Sequence, residues 1–157
     1  MNKTIIGVWN NENTGKSSSI TDAFYLLMAK GSKIDYSITD IASYSNPTIN
    51  ANETLAILKY NGIKIGIESQ GDPKGRQFNT LPDLVKNQCE IIICASRPDV
   101  DTNTIIYKTA KSNYEIVWYS NFYFNNSNTA QGRQNLIHQF NGECIIKLVD
   151  DLISGKI

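Results

Sequence analysis

Thr4-Ile5-Ile6-Gly7-Val8-Trp9-Asn10-Asn11-Glu12-Asn13-Thr14-Gly15-Lys16-Ser17-Ser18 is the stretch that decides the fold. Its first six residues form a short, almost continuous apolar run, the pattern of a strand buried on both faces. Ten polar or small residues, 10–19, follow. Beyond them Ile20, Ala23, Phe24, Leu27 and Met28 recur at helical spacing, and Lys30-Gly31 is a helix stop. The reading is therefore strand, polar loop, helix.

Working outward, Ile34, Tyr36 and Ile38 alternate with polar residues and suggest a half-buried strand, and residues 39–53 read as a loop. The alternating runs Leu55–Tyr60 and Ile63–Glu68 flank Asn61-Gly62, which predicts a β-hairpin over 55–68 with a type I′ turn. Residues 70–77 read as an exposed loop and Leu81–Gln88 as a short helix. Ile91–Ala95 is a second buried strand, Thr102–Ser112 a helix and Glu115–Ser120 another strand. The apolar spacing from Leu136 to Ile153 predicts one or two C-terminal helices, with Asn141-Gly142 as the break between them. Strands alternating with helices predict an α/β fold, a three-layer sandwich around a mostly parallel sheet, in a single domain spanning 1–157.

Composition narrows the function. Fifteen Lys+Arg balance fifteen Asp+Glu, which argues against a nucleic-acid partner. No apolar run is long enough for a bilayer, and the N-terminus lacks a signal-peptide pattern. Cys89, Cys94 and Cys144 are an odd number without metal-site spacing. They suggest free thiols in a reducing, cytoplasmic compartment.

Asn11, Glu12, Asn13, Thr14, Gly15, Lys16, Ser17 and Ser18 sit where a loop enters a helix, the place where backbone amides and the helix dipole favour an anion. This segment resembles the Walker A loop of P-loop NTPases, a Gly, four residues, then Gly-Lys-Ser/Thr. Gly15, Lys16 and Ser17 match, and Asn10 stands where the first Gly belongs. The resemblance implies that the amides of 11–17 cradle phosphates, that Lys16 neutralises the outer ones and that Ser17 binds Mg²⁺. It also implies an acid at a strand end. Glu68-Ser69-Gln70-Gly71 is similar to the Asp-x-x-Gly element of the GTPase branch, which makes Glu68 the metal and catalytic candidate, Asp72 a second one, and Gly71 a γ-phosphate contact. The guanine-reading Asn-Lys-x-Asp motif of that branch is missing, so Mg²⁺ with ATP is expected ahead of GTP.

Among the remaining polar residues, Arg97 follows a strand that should end near the phosphates, whereas Arg76 and Arg133 read as surface cations. Thr39 and Thr48 are hydroxyls that would sense a γ-phosphate. His138, the single histidine, reads as a packing or surface residue. The aromatic stretch Trp118–Phe124 reads as core and strand edge rather than a base-stacking platform. The function expected is nucleotide binding with slow NTPase or small-molecule kinase activity. The rival is a non-catalytic partner-binding or structural protein with a decayed loop. Homodimerisation is open.

Overall fold

The computed structural model describes residues 1–35, 48–49, 53–98, 100–124 and 131–157, with residues 48, 49 and 100 described in backbone only. Tyr36, Ile38 and Thr39 lie outside the described residues, as does the side chain of Thr48.

The described strands are β1 (Thr4–Trp9), β2 (Lys33–Ile34), β3 (Thr48–Ile49), β4 (Thr54–Tyr60), β5 (Ile63–Glu68), β6 (Ile91–Ser96) and β7 (Glu115–Ser120). The helices are α1 (Lys16–Ala29), α2 (Gln77–Lys86), α3 (Val100–Ala110) and α4 (Gln131–Ile153). One sheet takes the order β2-β4-β5-β6-β1-β7, with β3 beside β4. The ladders β5/β6, β6/β1 and β1/β7 are parallel, and those that β4 makes with β2, β3 and β5 are antiparallel. The sheet is thus mixed rather than mostly parallel in its pairings, because the single opposed strand, β4, takes part in half of them.

Alternating side chains divide the core between the two faces of the sheet. Ile6, Val8, Ile91 and Ile93 face α1 and α4, where Ile20, Ala23, Phe24, Leu27, Ile145 and Val149 pack on them. Ile5, Ile92 and Cys94 face α2 and α3, against Leu81, Leu84, Ile105 and Ile106. Burial on both faces is why β1 and β6 are continuous apolar runs, and it makes the architecture three layers.

The hairpin forms in the register the sequence predicts. Tyr60 pairs with Ile63, and Asn61 and Gly62 both take positive φ (50° and 80°). α1 stops at the predicted place, with Gly31 at φ 90° and its N–H donating to Met28 O at 3.0 Å.

Three elements depart from expectation. β3 falls within residues 39–53, read as a loop, where Thr48 and Ile49 pair with Leu55 and Thr54 of β4. α2 begins at Gln77 rather than Leu81, because its first turn buries polar side chains that carry no apolar period. Gln77 Nε2 donates to Ala95 O at 2.6 Å, and Thr80 is fully buried. α4 runs unbroken through Asn141-Gly142. Asn141 is buried as a tertiary lock: Oδ1 accepts from Tyr119 Oη (2.7 Å) and Phe122 N–H (2.9 Å), while Nδ2 donates to Phe122 O (2.8 Å). Gly142 lets the helix touch α1, since a Cβ there would lie 3.1 Å from Ala23 N. Tertiary bonding outweighs the local turn tendency of Asn-Gly at this point.

Asn141→Ala should lower stability by about 1–3 kcal/mol in urea unfolding, because it strands buried backbone and hydroxyl groups. A change within about 0.5 kcal/mol would mean that the amide is not a lock.

Candidate functional site

The loop between β1 and α1 curls back on itself, and asparagines hold it. Asn10 Oδ1 accepts the Asn11 N–H at 2.8 Å, and Asn10 Nδ2 donates to Asn121 O at 2.9 Å. Asn121 Nδ2 donates to Thr14 O at 2.7 Å, and Thr14 Oγ1 to Asn11 O at 2.9 Å. Asn13 and Gly15 are left-handed, with φ of 57° and 77°. Alternation of left- and right-handed residues turns successive N–H groups toward one point. Asn10 is not among the positive-φ residues. Its contribution is side-chain bonding, not the backbone freedom of the glycine it replaces.

Lys16 points inward. Its ammonium donates to Asn10 O at 2.8 Å and to Asn11 O, and lies 3.5 Å from Thr14 Oγ1, with the residue 7% exposed. Gly15 is the last residue before α1, and no side chain caps that helix, so its first-turn amides lack intrahelical acceptors. Glycine is required at 15 by its backbone, and any Cβ would also have to displace the His138 ring. The φ of Gly15 is left-handed, and a Cβ would sit 2.2 Å from His138 Nε2.

Residues 13–18 line a cleft of about 220 Å³ with Gly71, Asp72 and Arg97 opposite. Arg97 bridges two carboxylates across its mouth, Glu12 at 3.2 Å and Asp72. Ser17 Oγ donates to Ser69 O at 2.8 Å, and Ser69 Oγ accepts the Thr54 N–H at 2.7 Å. The start of α1 is thereby tied to the open end of the β4–β5 hairpin.

Asn13, Thr14, Gly15, Lys16, Ser17, Ser18, Gly71, Asp72 and Arg97 thus come together. Asn11 contributes its carbonyl to Lys16, and Glu12 stands at the rim. Glu68 does not join them. Ile67 faces α1 and α4, so by alternation the Glu68 side chain points to the opposite face of the sheet, under α2. Its carboxylate is fully buried. Arg76 Nε (3.0 Å) and Nη2 (2.9 Å), Thr80 Oγ1 (2.6 Å) and the Gln70 N–H (3.0 Å) all donate to it. Burial pushes this carboxyl above the usual range, opposed by the Arg76 guanidinium. Arg76, expected at the surface, is the counter-ion, and it also reaches Glu53 at 3.5 Å. Among the described residues no group of three or more His, Cys, Asp or Glu gathers as a metal site. The cleft wall carries side-chain oxygens that suit a divalent cation, among them the Ser17 hydroxyl and the Asp72 carboxylate, and Glu68 does not fit that role.

The other residues fall outside the loop cleft. Arg133 lies over the Phe124 ring at 5.2 Å. Trp118 stands on the edge strand against Tyr107, and Phe122 packs on Phe140. The three cysteines are free, with Cys89 and Cys94 buried in the sheet and its flanking helices. His138, read as a packing residue, packs on the loop itself. Burial lowers its imidazole below the ordinary value and raises the Asp22 carboxyl, and each is partly offset by the other's charge. Nothing in the sequence near His138 signals this, since the contact joins α4 to a loop more than a hundred residues earlier.

Among the described residues, no helix is long and apolar enough to cross a membrane. Comparisons with protein-family models, with curated proteins and with solved structures find no match to this chain.

Removing one partner of the buried pair, as in Glu68→Ala or Arg76→Ala, should cost about 3–5 kcal/mol. The double replacement Glu68→Leu with Arg76→Met should recover most of it. Denaturant titration checks both, and a single-variant loss below about 1 kcal/mol would contradict the pair. A second expectation concerns pH. The unfolded His138 takes up protons at higher pH than the folded one, so its stabilisation is complete above about pH 6.5 and is lost as pH falls through that value. Asp22 acts with the opposite sign, beginning near pH 4. Melting temperatures should therefore decline between about pH 7.5 and 5.5, and His138→Gln should flatten that decline. An identical slope in the variant would exclude His138 as its source.

Proposed function

We propose that the chain belongs to the class of α/β proteins that bind an anion between a sheet strand and the helix after it. The particular reading is a P-loop-like protein that binds a nucleoside triphosphate with Mg²⁺, ATP ahead of GTP. The observation that carries it is Lys16: a buried ammonium drawn into a left-handed loop at an uncapped helix N-terminus, facing Arg97 across a small polar cleft.

On this reading the amides of the loop and Lys16 hold the phosphates, and Gly71 approaches the terminal one from β5. Mg²⁺, when bound, would be held by Ser17 and Asp72 and would neutralise phosphate charge. Asp72 is also the cleft carboxylate able to orient an attacking water, so slow hydrolysis is the reaction the site supports best. Arg97 must leave its carboxylate partners to reach a phosphate, and phosphate oxygens compete with Glu12 and Asp72 for it. That bridge also favours the second reading, a partner-binding protein with a decayed loop, because two carboxylates already neutralise the cation at the mouth.

The test is thermal melting with and without millimolar Mg²⁺-ATP. Ligand at about a hundred times its Kd stabilises by about 2.7 kcal/mol, and Lys16→Ala should abolish the rise. Phosphate release should fall to background in Asp72→Asn while the melting shift persists. No shift with ATP or GTP in the wild-type protein would favour the second reading.

A further inference from the structure

The loop cleft has a neighbour beyond Ser18. The same residue lines a larger cavity of about 580 Å³ between α1 and α4, walled by Ser18, Asp22 and Tyr25 on one side and by Asn135, His138 and Gln139 on the other. Positions 18, 22 and 25 are a turn apart along one face of α1, and 135, 138 and 139 share a face of α4. At Gly142 the two helices are in contact, beside Asp22 and Ala23. Toward the core they close through Phe24, Leu27, Ile145 and Val149. One turn above Gly142, at His138, the stripe becomes polar and the helices leave a gap that opens onto the loop. His138 stands between the two spaces, since it lines the larger one and its ring packs on Gly15.

We infer that this cavity receives the nitrogen heterocycle of a nucleotide whose phosphates lie on the loop, an inference that rests on phosphate binding at Lys16. Three observations carry it. The cleft at the loop is too small for more than a phosphate chain, whereas the neighbouring cavity falls in the range of small-molecule sites. Its walls hold a carboxylate and no Lys or Arg, so it disfavours a second anion and suits a group that donates N–H bonds. Tyr25 and His138 supply flat rings for stacking, and the amides of Asn135 and Gln139 offer both donors and acceptors. Asp22 would accept from the heterocycle's amino or ring N–H. An imidazole that stays neutral near pH 7 could be donor or acceptor there without attracting free phosphate.

The experiment is calorimetric titration of the full chain, in Mg²⁺, with ATP and separately with inorganic tripolyphosphate. The variants are Asp22→Ala, which removes the acceptor, and Asn135→Trp, which fills the cavity from an exposed position. ATP should bind the wild type at least about tenfold more tightly than tripolyphosphate. Both variants should erase that advantage while leaving tripolyphosphate affinity unchanged, which also shows that they are folded. Equal affinity of the two ligands, or an ATP advantage that survives both variants, would overturn the cavity's role and leave phosphate binding standing. Failure of the wild type to bind tripolyphosphate and ATP alike would overturn the phosphate reading, and this inference with it.

Discussion

A buried ammonium has to be solvated by something, and here the backbone does it. Lys16 is almost sealed from water, and the carbonyls of Asn10 and Asn11 accept from it. To place those carbonyls around one nitrogen the chain must fold back between β1 and α1, which it does through left-handed residues at 13 and 15. The same reversal leaves the first amides of α1 facing outward with no side-chain cap. The shape of the loop, the polarity of its cleft and the demand for glycine at 15 all follow from holding one charge in place.

Side-chain alternation along β5 determines which acid can meet that charge. The end of β5 touches the start of α1 through Ser69, but Ile67 faces α1 and α4, so the next side chain, Glu68, points to the opposite face and into an ion pair with Arg76 under α2. A buried pair of this kind is a weak source of net stability but is costly to break. It fixes the start of α2 and the turn from Gln70 to Arg76, because Gln70 Oε1 also accepts the Arg76 N–H at 3.2 Å. That turn carries Gly71 and Asp72 across to the loop. Glu68 therefore acts as a positioning residue, and Asp72 is the carboxylate that reaches the cleft.

What the sequence made legible was local. The apolar run before Asn10, the period of α1, the Asn61-Gly62 turn and the Gly15-Lys16-Ser17 junction are each contained in a few consecutive residues, and each appears where it was predicted. What it hid was long-range. Asn10 reads as a flawed glycine until the carbonyl of Asn121, just past the neighbouring strand β7, accepts from its amide. Arg76 reads as a surface cation until Glu68 lies beneath it. Asn141-Gly142 reads as a break until Tyr119 and α1 press on it. In each case a polar residue is buried by a tertiary partner, eight residues away for Arg76 and far along the chain for Asn10, and periodicity carries no trace of such pairs.

The central claim is that the β1–α1 loop is an anion nest with Lys16 at its floor, and backbone amide NMR tests it most directly. Titration of ¹⁵N-labelled protein with tripolyphosphate should move the amides of residues 13–18 most, together with those of Gly71 and Arg97, and should leave the lysine-bearing surface near Lys3, Lys59 and Lys64 unchanged. Shifts confined to that lysine surface, with the loop amides still, would contradict the account.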